Sequence, residues 1–171
     1  MIIAIEEMKR EDMLRVAKLN KECFPTDNKD IHYALRWVDS CFSGKGRAQY
    51  SVAKEWDSIV GYVLFKENGG FREDAVLELE QIGVTESYRG LGVGTKLIQD
   101  ALKSYVHNLK ADNRKLKCVM VTTGTSNEAQ KLYKKAMGAE PACTIPELYE
   151  GDELVMIARK EGLEKKLGIE L

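Results

Sequence analysis

Six consecutive residues constrain this chain more than any others: Arg89, Gly90, Leu91, Gly92, Val93 and Gly94. A run over 75–84, alternating and largely apolar, leads into them and reads as a strand. A helical pattern leaves them. Leu97, Ile98, Ala101, Leu102, Tyr105, Val106 and Leu109 recur at i, i+1, i+4, i+5 and form one apolar stripe. Each glycine inside a helix costs about 1 kcal/mol against alanine. Three of them at alternate positions at a helix start therefore need a reason. A helix start tolerates them if bare backbone must approach a ligand. Its first turn leaves N–H groups unpaired, and the helix dipole places partial positive charge there. Those two effects make an anion site, most often for phosphate, and Arg89 adds a cation at its mouth.

Two phosphate loops are excluded by spacing. A dinucleotide fingerprint counted from Gly90 needs glycine at 95, where Thr95 stands. A Walker loop needs lysine directly after its second glycine, and the order here is Gly94-Thr95-Lys96. A tight turn is the plain alternative for the glycines taken alone.

Bulk properties narrow the classes further. A chain of 171 residues with 44% hydrophobic content suits one domain with a sizeable core. The expected division is one domain over 1–160 and a short charged tail over 161–171. Lys+Arg is 26 and Asp+Glu is 27, giving a net charge of −1, so no basic field argues for a nucleic-acid partner. No apolar run approaches the roughly 18 residues of a membrane span. The opening residues Ile2-Ile3-Ala4-Ile5 lack the basic region of a signal peptide. A cytoplasmic location and no membrane partner are expected. Cys23, Cys41, Cys118 and Cys143 contain no Cys-x-x-Cys and read as reduced thiols. His32 and His107 are the only histidines, so no metal site is expected.

Along the chain, a first strand is expected over 2–8 and a helix near Glu11, with Met13, Val16, Ala17, Asn20, Cys23 and Phe24 inward. Pro25 ends it. A second helix carries Ile31, Ala34, Leu35, Val38, Cys41 and Phe42. Residues 50–54 and 59–65 read as a hairpin about Trp56-Asp57-Ser58. After the long helix, 116–122 reads as a buried strand. Thr125 and Glu128 have the spacing of a capping box, opening a helix with Ala129, Leu132, Tyr133, Ala136 and Met137 on one face. Residues 143–145 and 153–158 make a last hairpin, and a short, weakly helical charged tail follows, open to packing or to staying loose. The order β-α-α-β-β-β-α-β-α-β-β is that of an α/β fold.

Arg89, Gly92 and Gly94 fit Arg-x-x-Gly-x-Gly, with Val84 five residues ahead of the arginine. This resembles the acetyl-coenzyme A loop of the GCN5-related N-acetyltransferase (GNAT) superfamily. A second stretch, from Asn127 through Ala129 and Tyr133 to Gly138, resembles the family's other motif in loose form; Ala139 stands where a phenylalanine is usual. The resemblance runs from Ile2 to about Lys160. It implies a single GNAT-fold domain: a mixed, mostly antiparallel sheet with a central V-shaped splay and helices on both faces. It implies acetyl-CoA as cosubstrate, with coenzyme A as product. The cofactor contacts would be Ile82, Gly83, Val84, Arg89, Gly90, Leu91, Gly92, Val93, Gly94, Thr95, Asn127 and Tyr133.

Acyl transfer to an amine requires removal of a proton, a donor for the developing oxyanion, and protonation of the leaving thiolate. Glu78 and Glu80 alternate in Leu77-Glu78-Leu79-Glu80 and share a strand face. Either is a candidate base, directly or through water, and either could equally sit on a solvated face. Backbone N–H near Ile82 is the candidate oxyanion donor. Tyr133 stands at the family's general-acid position; its plain reading is a core tyrosine beside Leu132 and Met137. In this family the acceptor site is built by the loop after the first helix and by the last hairpin. Here these give Phe24, Pro25 and Tyr149, in Phe24-Pro25-Thr26-Asp27 and Leu148-Tyr149-Glu150-Gly151. Both stretches weakly resemble protein N-terminal acetyltransferases. The expected activity is direct transfer of an acetyl group to a primary amine in a ternary complex, the amine belonging to a protein N-terminus or a small molecule. A GNAT-like module that senses acyl-CoA without turnover is the alternative. The chain could act as a monomer or a homodimer.

Overall fold

The computed structural model describes residues 2–25, 30–44, 46–70 and 72–171. In chain order the elements are β1 (Ala4–Glu7), α1 (Met13–Cys23), α2 (Ile31–Ser43), β2 (Ala48–Glu55), β3 (Ser58–Asn68), β4 (Asp74–Val84), α3 (Val93–Ala111), β5 (Lys115–Gly124), α4 (Ala129–Met137), β6 (Glu140–Ile145), β7 (Glu153–Arg159) and α5 (Lys160–Leu167). Among the described residues the strands form one seven-stranded sheet in the order β1-β2-β3-β4-β5-β7-β6. β1–β2, β5–β7 and β6–β7 are antiparallel. β4 and β5 are parallel, from Asp74 opposite Lys115 to Glu78 opposite Met120. The order of elements is the one read from the sequence, with α5 added, and the mostly antiparallel α/β sheet is as expected.

The chain divides into two compact units. The first comprises Met1–Phe65 and Gln81–Leu97. Its core joins Val16 and Ala17 of α1, Ala34 and Val38 of α2, and Tyr50, Val52, Tyr62 and Leu64 of the sheet. The helical residues recur three or four apart because only one stripe of each helix meets the strands. Burying each of the two helical valines contributes about 1.5–3 kcal/mol, each alanine less. Asp30 starts α2 by accepting the Tyr33 N–H at 2.8 Å, the usual way a carboxylate satisfies a first-turn donor. The β2–β3 turn carries Trp56 at φ +54, with its side chain 92% exposed.

The second unit comprises Lys66–Glu80 and Ile98–Leu171. Leu102, Val106 and Leu109 of α3, Val119 and Val121 of β5, and Ala136 and Met137 of α4 are buried. Gly138 ends α4 at φ +71, in the left-handed conformation that glycine adopts without strain. A Cβ there would sit 3.2 Å from the Cα of Gly162, so only two small residues let α5 approach the end of α4.

Two local expectations are revised, and a third point left open is decided. β3 runs to Asn68, three residues beyond the apolar run, because it continues with Lys66 and Glu67 as paired polar residues. The Thr125–Glu128 capping box does not form: Thr125 and Ser126 lie in a turn, and Asn127 Oδ1 accepts the Ala129 N–H at 2.9 Å. An asparagine that bonds backbone two residues on competes successfully with the earlier cap. Residues after Lys160 pack as α5, with Leu163, Leu167 and Leu171 buried at a spacing of four.

Candidate active site

The glycine loop lies in the first unit. β4 ends at Val84, a 3-10 turn covers Glu86–Tyr88, and α3 starts at Val93. Gly90 and Gly92 have φ of +75° and +84°. Both values lie where other residues are strained, so conformation alone demands glycine at these two positions. No atom lies within 4 Å of a Cβ built on either, which leaves open space over the backbone. Gly94 is the second residue of α3. The first intrahelical bond runs from Lys96 N–H to Gly92 C=O at 3.0 Å. The N–H groups of Val93, Gly94 and Thr95 precede it and have no intrahelical acceptor. Leu91 is 56% exposed, whereas Val93 anchors the helix start in the core. Open space, bare N–H groups and the positive end of a 19-residue helix fit a pyrophosphate.

Arg89 does not simply extend from the mouth of the loop. Its Nε donates to the Val84 carbonyl at 2.9 Å, and its Nη2 lies 3.9 Å from Cys23 Sγ. The guanidinium braces the end of β4. The Cys23 thiol also donates to the Val84 carbonyl, at 3.8 Å, and burial pushes its pKa up, so it is held as the neutral thiol. Gly83 presses on this cluster: a Cβ there would sit 2.8 Å from Tyr62 Cε1 and 3.0 Å from Cys23 Sγ. Ile82 and Val84 beside it are half-buried.

The two candidate bases lie in the second unit. Glu80 pairs with Lys66 Nζ at 2.5 Å. Glu78 stands 4.0 Å from the same ammonium and accepts from Asn68 Nδ2 at 2.8 Å. Their side chains are 19% and 20% exposed, so both keep contact with water. The pair therefore differs in partner: Glu80 is committed to a cation, Glu78 chiefly to a neutral amide.

Tyr133 is 6% exposed on the inner face of α4. Burial pushes its hydroxyl from the ordinary value of 10 up to about 12, with loss of water as the cause. Its hydroxyl takes no hydrogen bond from the described residues, so the proton stays on it and remains available to a ligand. Asn127 is exposed just ahead of the helix; its Oδ1 is used by the Ala129 N–H, which leaves the –NH2 facing outward.

Of the expected acceptor residues, Phe24 is half-buried against the α1–α2 core, and its N–H bonds the Asn20 carbonyl at 2.9 Å. Pro25 is exposed. Thr26 and Asp27 lie outside the described residues. Tyr149 is 73% exposed in the turn between β6 and β7, where Glu147 N–H is held by Asp152 at 3.1 Å. A model of the acetyltransferase (GNAT) family matches residues 13–139. The chain belongs to the GNAT acetyltransferase family. The N-alpha-acetyltransferase daf-31 of Caenorhabditis elegans is 25% identical over 155 residues, covering 88% of this chain and 78% of that protein. Arabidopsis thaliana NAA60 in complex with acetyl-CoA superposes with a TM-score of 0.72 at 17% identity, covering 94% of this chain and 99% of that one. The ribosomal-protein-S18-alanine N-acetyltransferase of Escherichia coli does so at 0.70 and 15%, covering 92% and 94%. At these identities the two structures support the fold alone.

Two groups of this GNAT chain were not visible in the sequence. Lys66 escapes because the apolar run of β3 stops at Phe65 and the lysine lies just past it. The second is a polar triangle of Asn20, Tyr62 and Gln81. Asn20 Nδ2 donates to Tyr62 Oη at 2.6 Å and to Gln81 Oε1 at 2.9 Å, and the Tyr62 hydroxyl donates to the same oxygen at 3.4 Å. Asparagine at an inward helical position was the signal for it. Among the described residues no helix is long and apolar enough to cross a membrane, and no group of three metal-ligating side chains forms.

Proposed function

We propose that this GNAT protein transfers the acetyl group of acetyl-CoA directly to the α-amine of a peptide or protein, within a ternary complex. The observation that carries the coenzyme half is the loop: two left-handed glycines under open space, followed by three free N–H groups at the start of α3. In this reading those N–H groups hold the pyrophosphate, and backbone near Ile82 and Val84 together with Asn127 hold the pantetheine arm. Acetyl-CoA, when bound, supplies an activated acetyl thioester. Glu78 takes the proton of the amine, directly or through water, because Glu80 is engaged by Lys66. Backbone N–H near Ile82 stabilises negative charge on the acetyl oxygen. Tyr133 donates to the departing sulfur. An ordinary thiol titrates near 8.5, well below a hydroxyl raised to about 12, so Tyr133 acts by a hydrogen bond that stabilises the thiolate.

The acceptor follows from the proton. An α-amine titrates near 7.7–8.0 and a lysine-like amine near 10.4, so at pH 7 the neutral form costs about 1.2 against about 4.6 kcal/mol. Both histidines are exposed, on α2 and α3, so the site relies on water-accessible carboxylates. That favours the easier proton, and the likeness to an N-alpha-acetyltransferase supports it. Four free thiols agree with a cytoplasmic setting, and one chain carries every group used, whether or not it pairs with a second copy. Titration calorimetry with acetyl-CoA, then thiol release with short α-amine peptides, spermidine and lysine, tests the reading. Micromolar coenzyme binding and peptide acetylation are expected. Acetylation of spermidine or the lysine side chain with no α-amine product overturns the acceptor assignment.

A further inference from the structure

The triangle in the first unit buries more polarity than packing needs. Asn20 and Tyr62 have no exposed surface. Unpaired, each buried group would cost about 1–3 kcal/mol, and apolar residues of the same shape would be the simpler core. Both instead donate to one atom, Gln81 Oε1. That fixes which way the Gln81 carboxamide faces. Turned over, it would set its –NH2 against the Asn20 –NH2, donor against donor. Its own two N–H groups are thus held away from the triangle and meet no acceptor among the described residues, while the side chain is half-buried. The place is telling. Gln81 directly precedes Ile82–Val84 on β4, and the Asn20 carbonyl accepts the N–H of Phe24, where the expected acceptor loop begins.

We propose that Gln81 is a specificity-determining residue: Asn20 and Tyr62 present its –NH2 to an acceptor oxygen next to the reacting amine. This rests on the α-amine reading above and sharpens it. The acceptor carries a carbonyl near its amine, as a peptide N-terminus does and a polyamine does not. Asn20 and Tyr62 are positioning residues, since they act through Gln81.

The test uses the purified full chain loaded with coenzyme A, a short peptide with a free α-amine, and two variants. Gln81→Met removes the donor and the inward acceptor. Gln81→Glu keeps the inward oxygen for Asn20 and Tyr62 and replaces only the outward –NH2, so it retains the fold if the first variant loses it. Calorimetric peptide Kd, KM for the peptide, coenzyme Kd and Tm are measured on each. The expected result is a rise of about 10-fold in peptide Kd and KM, with coenzyme Kd within about 2-fold and the Tm of Gln81→Glu unchanged. Tenfold corresponds to about 1.4 kcal/mol, the upper range for one neutral hydrogen bond. A purely structural Gln81 would move coenzyme Kd and Tm together with peptide Kd. That pattern, unchanged peptide binding, or no peptide binding by the parent protein overturns the proposal. Turnover with spermidine but not peptide overturns both this and the α-amine reading, whereas unchanged peptide acetylation by Gln81→Glu overturns this alone.

Discussion

Tyr133→Phe separates chemistry from stability in one substitution. The ring stays in place, because the residue is 6% exposed and phenylalanine fills the same volume. What leaves is a hydroxyl that burial raises to about 12. The hydroxyl takes no hydrogen bond from the described residues, so its removal breaks no contact and should leave the fold as stable or up to about 1 kcal/mol more stable. For a chain of this size that is a Tm change of about 0 to +4 °C. The pH dependence has a definite sign. Burial raises this phenol's pKa from 10 to about 12 by penalising the phenolate, so stability is unaffected below pH 10 and falls as pH rises from 10 through 12. Two units amount to about 2.7 kcal/mol, so the parent, but not the variant, should lose this much in denaturant titrations between those limits. Turnover should move the other way. Loss of one positioned donor lowers kcat by about 10- to 1,000-fold, or roughly 1.4–4 kcal/mol of barrier, with coenzyme Kd within about 2-fold. A parent kcat measured from pH 7 to 10 should show no fall assignable to this phenol. The reasoning is refuted if Tyr133→Phe turns over as the parent does, or if kcat, coenzyme affinity and Tm fall together.

Three further outcomes follow from the same geometry. Glu78→Gln should lower kcat about 100-fold or more, whereas Glu80→Gln, already committed to Lys66, should lower it less than about 10-fold; steady-state kinetics with the reverse ranking would move the base to Glu80. Gly92→Ala should cost about 1 kcal/mol at φ +84, or about 2–4 °C in Tm, and weaken acetyl-CoA binding in calorimetry; normal coenzyme affinity would place the anion site elsewhere. Asn127→Ala should cost about 1 kcal/mol by freeing the Ala129 N–H and also raise coenzyme Kd, and a fall in Tm without any change in Kd would leave it only a helix-start residue.

Most of the fold was legible because its signals are local. The α3 stripe from Leu97 to Leu109 is buried as its spacing required, and α2 shows the same agreement at Ala34 and Val38. The errors arose where two local rules compete. Thr125 and Asn127 both suit a helix start, and backbone bonding by Asn127 decided it. The 161–171 segment, weakly helical and rich in charge, left packing or looseness open; three leucines four apart are buried there, and Gly138 opposite Gly162 makes the room for α5. That last fact depends on two residues far apart in sequence, so no window along the chain contains it.

The candidate site was legible to the degree that its chemistry resides in backbone. Glycines at 90 and 92 announce themselves because composition must yield to conformation there, and the N–H groups they expose follow from the helix start alone. Side-chain chemistry is different, since a residue's role depends on its neighbours. Glu78 and Glu80 are equivalent in sequence; a lysine on the adjacent strand, 2.5 Å from one and 4.0 Å from the other, makes them unequal. Arg89 reads as a cation for a phosphate, yet its reach back to the Val84 carbonyl gives it a second task that its type does not advertise. Gln81 carries no motif at all. It gains meaning only because Asn20, 61 positions away, and Tyr62 take up its oxygen and leave its nitrogen outward. A polar group buried at a cost, with hydrogen bonds that orient one neighbour, draws attention to that neighbour, and only coordinates supply that chain of contacts.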